Sequence, residues 1–159
     1  MLKELLERYN FKLAVAESLT GGKLSAKICN ESGISKYYLG SVTSYTCGIK
    51  NKVLGVDKEF LDKFGPYNIT TTRGMCDGVM ELMGADVTVA TSGVAGPGPD
   101  LGVEQGTYYI TIKIKGKNNH RYFDKEFKSN RKTRGGVRAE AMTNAYNYLI
   151  EVLTDYANL

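Results

Sequence analysis

Hydrophobic positions recur along the chain in two periods, and the switches between them mark out its elements. Leu2, Leu5 and Leu6 fall at helical spacing and predict a short first helix. Phe11 to Ala16 (FKLAVA) reads as a buried strand, and Leu24, Ala26 and Ile28, after the turn ESLTGG, place a helix behind it. Tyr37 to Tyr45, aromatic and β-branched, predicts a second strand. Asp57 stands where it can N-cap a helix carrying Phe60, Leu61 and Phe64, closed by Gly65-Pro66. Thr70 to Thr72 are expected to cap the next helix, with Met75, Val79, Leu82 and Met83 on one face and Gly84 at its end. Asp86 to Thr91 follows as a third strand.

The stretch SGVAGPGPDLGVEQG then breaks all periodicity, because its glycines and prolines cannot sustain regular structure. Alternation returns from Thr107 to Lys115, with Tyr108, Ile110, Ile112 and Ile114 opposing Tyr109, Thr111, Lys113 and Lys115. That pattern predicts a half-buried strand, which Gly116 to Asn119 turns into a partner over roughly Arg121 to Phe127. A final helix, about Arg134 to Tyr156, aligns Val137, Ala141, Ala145, Tyr148, Leu149, Val152 and Tyr156 on one stripe. Strands alternating with helices and a late hairpin predict an α/β class, a three-layer α/β/α sandwich on a mixed, mainly parallel sheet with one antiparallel hairpin. No repeat or linker interrupts the chain, so residues 1–159 are expected to form a single domain.

Composition narrows the function more than the fold. The chain is 42% hydrophobic and 24% charged, the proportions of a globular domain. No apolar run approaches the roughly 18 residues of a membrane helix, and the charged start MLKELLERYN lacks an export signal, so the cytoplasm is the expected location. Three unclustered cysteines, Cys29, Cys47 and Cys76, argue against a disulfide framework or zinc site and are expected to be buried thiols. His120, the sole histidine, sits in a polar, turn-like stretch and is expected to be a solvated loop residue. A histidine triad or multi-histidine metal site would depend on it, so hydrolytic chemistry here calls for another base. The net charge of +4 is uneven: residues 113–138 carry ten Lys or Arg against Asp124 and Glu126. That asymmetry fits an anionic partner such as phosphate, nucleotide or nucleic acid, or a hairpin with lysines turned to solvent. Nucleic acid is the weaker reading, since no aromatic recognition motif or zinc finger accompanies the charge.

Three strand-to-helix turns are candidates for chemistry, since doubly wound sheets collect ligands there. In Ala16-Glu17-Ser18-Leu19-Thr20-Gly21-Gly22, the glycines allow close ligand approach, and Ser18 is either a nucleophile or a helix cap. In Thr43 to Lys50, a Lys50 kept neutral by burial can deprotonate Ser18, with Tyr45 as a relay, or Lys50 is an exposed helical residue beside Lys52. Thr46 belongs to this turn. In Thr91-Ser92-Gly93-Val94-Ala95-Gly96-Pro97-Gly98, the glycines suit a phosphate or amide cradle. Arg134 and Arg138 lie one turn apart near the start of the last helix, where an anionic ligand or an internal carboxylate is expected to compensate them.

Taken in register, AESLTGG, the VTSY…K…LGV stretch at 42–56, TSGVAGP at 91–97, QGTYY at 105–109 and RGGVRAEA at 134–141 resemble the CinA-type C-terminal domain family, in its stand-alone form. Enzymatic members of that family are nicotinamide-nucleotide amidases. The resemblance implies hydrolysis of the carboxamide of nicotinamide mononucleotide, with Ser18 as nucleophile, Lys50 as base and Tyr45 as third catalytic residue. It further implies substrate contacts from Thr20, Gly21, Gly22, Thr46, Ser92, Gly93, Ala95, Gly96, Arg134 and Arg138, and it requires neither metal nor cofactor. The sequence departs from the family's Asn-Glu-Ala before the lysine, carrying Cys47-Gly48-Ile49 instead. A non-catalytic nucleotide-binding module is the alternative. The partner is expected to be a small-molecule nucleotide, with no membrane contact, and the many tyrosines on alternating strands favour a homo-oligomer.

Overall fold

The computed structural model describes residues 1–158. Its elements run α1 (Leu2–Tyr9), β1 (Leu13–Glu17), α2 (Lys23–Cys29), a short 3-10 turn, β2 (Tyr38–Thr43), α3 (Cys47–Leu54), α4 (Lys58–Phe64), α5 (Ile69–Met83), β3 (Val87–Gly93), β4 (Thr107–Lys115), β5 (His120–Lys128) and α6 (Arg134–Asp155). The five strands lie in the order β2-β1-β3-β4-β5. β2 and β3 flank β1 in parallel, while β4 pairs antiparallel with β3 and β5 antiparallel with β4. The α/β class and the late hairpin are therefore as the sequence pattern predicts.

Strand alternation builds a core on each face of the sheet. Leu13 and Val15 of β1, with Val87 and Val89 of β3, face one way and pack with Leu2 and Leu6 of α1, Leu24 and Ile28 of α2 and Leu149 of α6. Ala14 and Ala16, with Ala90, face the other way and meet Leu54 of α3, Leu61 of α4 and Met75, Cys76 and Val79 of α5. The small alanines on this second face let α3 and α5 sit close to the strands. Gly78 brings those helices closer still: a Cβ there would lie 1.9 Å from the Leu54 carbonyl oxygen, so only hydrogen fits.

Several local expectations are corrected. Asn68, not Thr70 to Thr72, caps α5, its Oδ1 accepting from the Thr71 N–H at 2.8 Å while Thr71 and Thr72 lie inside the helix. Both side chains compete for the same role, and Asn68 has the extended backbone an N-cap needs. β4 is buried on both faces rather than one, because α5 covers the polar side. Thr111 there bonds Thr72 and Asp124, and Lys113 bonds Asp77 at 2.6 Å, so hydrogen bonds offset the burial of polar groups. β1 starts at Leu13 and β2 spans a shorter run than expected, while α6 ends at Asp155 with Tyr156 in a terminal 3-10 turn. Of the cysteines only Cys76 is buried; Cys29 is exposed and Cys47 intermediate. His120 is exposed, as expected, but opens β5. Among the described residues no helix is long and apolar enough to cross a membrane.

Candidate active site

The C-terminal ends of β1 and β3 open into a cavity of about 350 Å³. Ser18, directly after β1, and Lys50, in the second turn of α3, line its floor. The loop from Gly93 to Asp100 and the turn Pro66-Tyr67 form its walls, with Tyr45 and Arg134 completing it. This is the location expected for a ligand in an open α/β sheet, where chain ends diverge and backbone groups are left available.

The floor is nearly dry. Ser18 is 6% exposed and Lys50 only 1%. Lys50 Nζ lies 2.9 Å from Ser18 Oγ, 2.6 Å from the Ser44 carbonyl oxygen and 3.4 Å from that of Tyr45. A carbonyl only accepts, so a neutral amine gives one N–H to each carbonyl and has its lone pair left for the serine proton. No carboxylate is paired with the amine among the described residues. Burial therefore pushes the Lys50 ammonium down to about 8. Thr46 caps α3 through its side chain, accepting from the Ile49 N–H at 3.3 Å, and the closure at Gly78 fixes the helix from behind. Lys50 is thus neither the exposed helical residue nor Ser18 the helix cap: α2 is capped at Gly22 without any side-chain bond from its own cap residue.

The other expected site residues divide into lining and bracing groups. Gly93, Ala95, Gly96 and Arg134 line the cavity. The backbone N–H groups of Leu19, Ala95 and Gly96, residues that line the cavity, have no hydrogen-bond partner among the described residues. Thr20 and Ser92 are instead fully buried: Thr20 Oγ1 pairs with Thr91 Oγ1 at 2.8 Å, and Ser92 Oγ donates to the Pro66 carbonyl at 2.8 Å. Both tie the walls together, and neither lines the cavity. Arg138 donates from Nε to the Leu19 carbonyl at 2.8 Å and lies against Gly21, so it braces the first loop. Gly21 and Gly22 take positive φ to make this bend, but the N-terminus of α2 behind them is already occupied. The buried Glu17 carboxylate accepts from the Leu24 N–H at 2.8 Å and the Ser25 N–H at 3.2 Å, which leaves no place for a phosphate there.

Tyr45 is 56% exposed, and its hydroxyl accepts from Arg134 Nη2 at 2.5 Å. Only its backbone carbonyl reaches Lys50, so the expected relay through its hydroxyl is replaced by the direct Ser18–Lys50 contact. Arg134 Nη1 donates to the Gly96 carbonyl at 2.6 Å. Its partners are a phenol and a carbonyl rather than the internal carboxylate allowed for above, so its charge stays available beside the cavity. Pattern reading missed Tyr67 and Asp100, whose hydroxyl and Oδ2 are 2.5 Å apart; neither lies in a periodic element, and Asp100 sits in the glycine- and proline-rich stretch two residues past the segment read as a cradle. Burial and the adjacent carboxylate push the Tyr67 phenol upward.

Known proteins match this chain over most of its length. The model of the CinA C-terminal domain matches residues 1–153. A CinA-like protein of Dictyoglomus thermophilum is 31% identical over 147 residues, 92% of this chain and 34% of its own length. One of Prochlorococcus marinus, strain AS9601, is 40% identical over 121 residues, 76% of this chain and 28% of its own length. The chain thus spans about a third or less of these curated relatives. A crystal structure of a competence-damaged protein (CinA) superfamily protein from Klebsiella pneumoniae superposes with a TM-score of 0.88 at 27% identity, covering 96% of this chain and 93% of that one.

Proposed function

The chain belongs to the CinA C-terminal domain family, and from that premise we propose that it is an amidohydrolase that converts nicotinamide mononucleotide to nicotinate mononucleotide and ammonia. The observation that carries this reading is the 2.9 Å contact of Ser18 Oγ with a buried amine whose other two partners are carbonyl oxygens.

In the neutral state Lys50 Nζ takes the hydroxyl proton as Ser18 Oγ attacks the carboxamide carbon. The resulting oxyanion is met by backbone N–H groups of the wall, and the Lys50 ammonium returns its proton to the departing nitrogen, which leaves as ammonia. Water then attacks the Ser18 ester, giving its proton to Lys50, and the carboxylate product is released with the serine restored. Arg134, cationic and without a carboxylate partner, binds the phosphate at the other end of the nucleotide. Tyr45 holds that guanidinium in place.

Incubating the protein with nicotinamide mononucleotide and assaying ammonia tests the reading. Release that disappears in Ser18→Ala is the expected result. Binding of the nucleotide without release would make the chain a nucleotide-binding module instead.

A further inference from the structure

Asp100 is the only acidic side chain lining the cavity among the described residues, and it is held in place from two directions. Its backbone exchanges hydrogen bonds with Val103, N–H to carbonyl at 3.0 Å and the reverse at 2.9 Å. Between them Leu101 and Gly102 both take positive φ, 48° and 77°, which closes a two-residue turn of the type that joins hairpin strands. From the other side the Tyr67 hydroxyl donates to Oδ2. Oδ1 accepts no hydrogen bond from any described residue, so an immobilised carboxylate presents one open acceptor to the cavity.

A carboxylate repels phosphate and seeks a donor. Burial orders the cavity by depth: Ser18 and Lys50 lie in the dry floor, Tyr67 is half-buried, and Asp100 and Arg134 are exposed. With the carboxamide at the floor and the phosphate at Arg134, the part of a mononucleotide between them is its sugar, at the level of half-buried Tyr67, whose hydroxyl holds the Asp100 carboxylate; the vicinal hydroxyls of that sugar are donors. Resting on the pyridine-mononucleotide reading above, we propose that Asp100, positioned by Tyr67, accepts hydrogen bonds from the ribose hydroxyls and selects ribonucleotides over analogues lacking those hydroxyls.

The test titrates Ser18→Ala protein, and the same protein carrying Asp100→Ala or Tyr67→Phe, with nicotinamide mononucleotide and with its 2′,3′-dideoxy analogue, using calorimetry. The parent is expected to prefer the ribonucleotide by about tenfold or more, the range of a hydrogen bond to a charged group. Asp100→Ala should abolish that preference by weakening the ribonucleotide alone, and Tyr67→Phe should reduce it. A preference unchanged in Asp100→Ala overturns the proposal, as does its absence from the parent. Equal weakening of both ligands also overturns it and assigns the carboxylate to the pyridinium charge. The two readings fail separately: sugar-dependent binding with no ammonia from the wild type ends the amidase proposal and leaves this one standing. If neither nucleotide binds, both fall.

Discussion

The floor and the rim of the cavity solve opposite problems. At the floor, Ser18 and Lys50 are buried, and every contact of the amine comes from the chain itself. At the rim, Tyr45, Arg134 and Asp100 are exposed, and each charged group is held by a phenol with donor or acceptor capacity to spare. Desolvation lowers the Lys50 ammonium to about 8 without any charged partner, which is what the proposed base requires. The rim instead sets acidic and basic side chains in solvent, which suits the two ends of the proposed nucleotide. The proposed reaction thus separates chemistry and recognition by depth.

The sharpest way to break this contrast is at the floor. Ser18→Ala should lower ammonia release by roughly 10⁴-fold or more while nucleotide binding, read by calorimetry, persists. Retained turnover would move the nucleophile elsewhere. Next, Lys50→Met should cost roughly 10²–10⁴-fold in kcat/KM, the range of a general base. The wild-type rate should climb as pH rises through about 8, because only the neutral amine takes the proton, and the variant should lose that limb.

The same burial has a thermodynamic signature. The folded ammonium loses its proton near 8 against 10.5 for an unperturbed lysine, so the unfolded chain binds more protons between those values. Stability from this group is therefore lowest below pH 8 and recovers as pH approaches 10.5. Lys50→Met should exceed the wild type by up to about 3 kcal/mol at neutral pH in denaturant unfolding, with the gap closing at high pH. A gap independent of pH would show that the amine is not desolvated. The smallest effect belongs to the rim: Arg134→Gln should raise KM by about tenfold to a hundredfold, with a smaller change in kcat. A kcat loss as large as that of Lys50→Met would erase the distinction between the two regions.

The floor was also the more legible region. Residue type and spacing leave Ser18 and Lys50 open between catalytic and structural roles, the family resemblance pairs them, and the fold brings them together. Their burial was not legible, because it depends on α3 packing against α5 at a glycine that carries no catalytic signal. Rim partners were the harder case. Arg134 reaches Tyr45 across 89 positions, and Tyr67 reaches Asp100 across 33, through loops that no periodicity governs. Thr20, Ser92 and Arg138 pose a related difficulty: polar residues beside a site serve equally well to knot its walls, and sequence pattern does not distinguish the two uses. Glu17 was overlooked because a carboxylate at a strand end gives no hint that it will turn back onto the following helix.

Gly78 lies outside the lining of the Ser18 cavity and stands behind the helix that bears Lys50, yet the bare hydrogen it offers to the Leu54 carbonyl decides where that helix rests. A single added methyl would shove the helix sideways like a wedge under a door, and the amine would swing off its serine with it. The proposed reaction is thereby hostage to a spot that no inspection of the cavity's lining would ever flag.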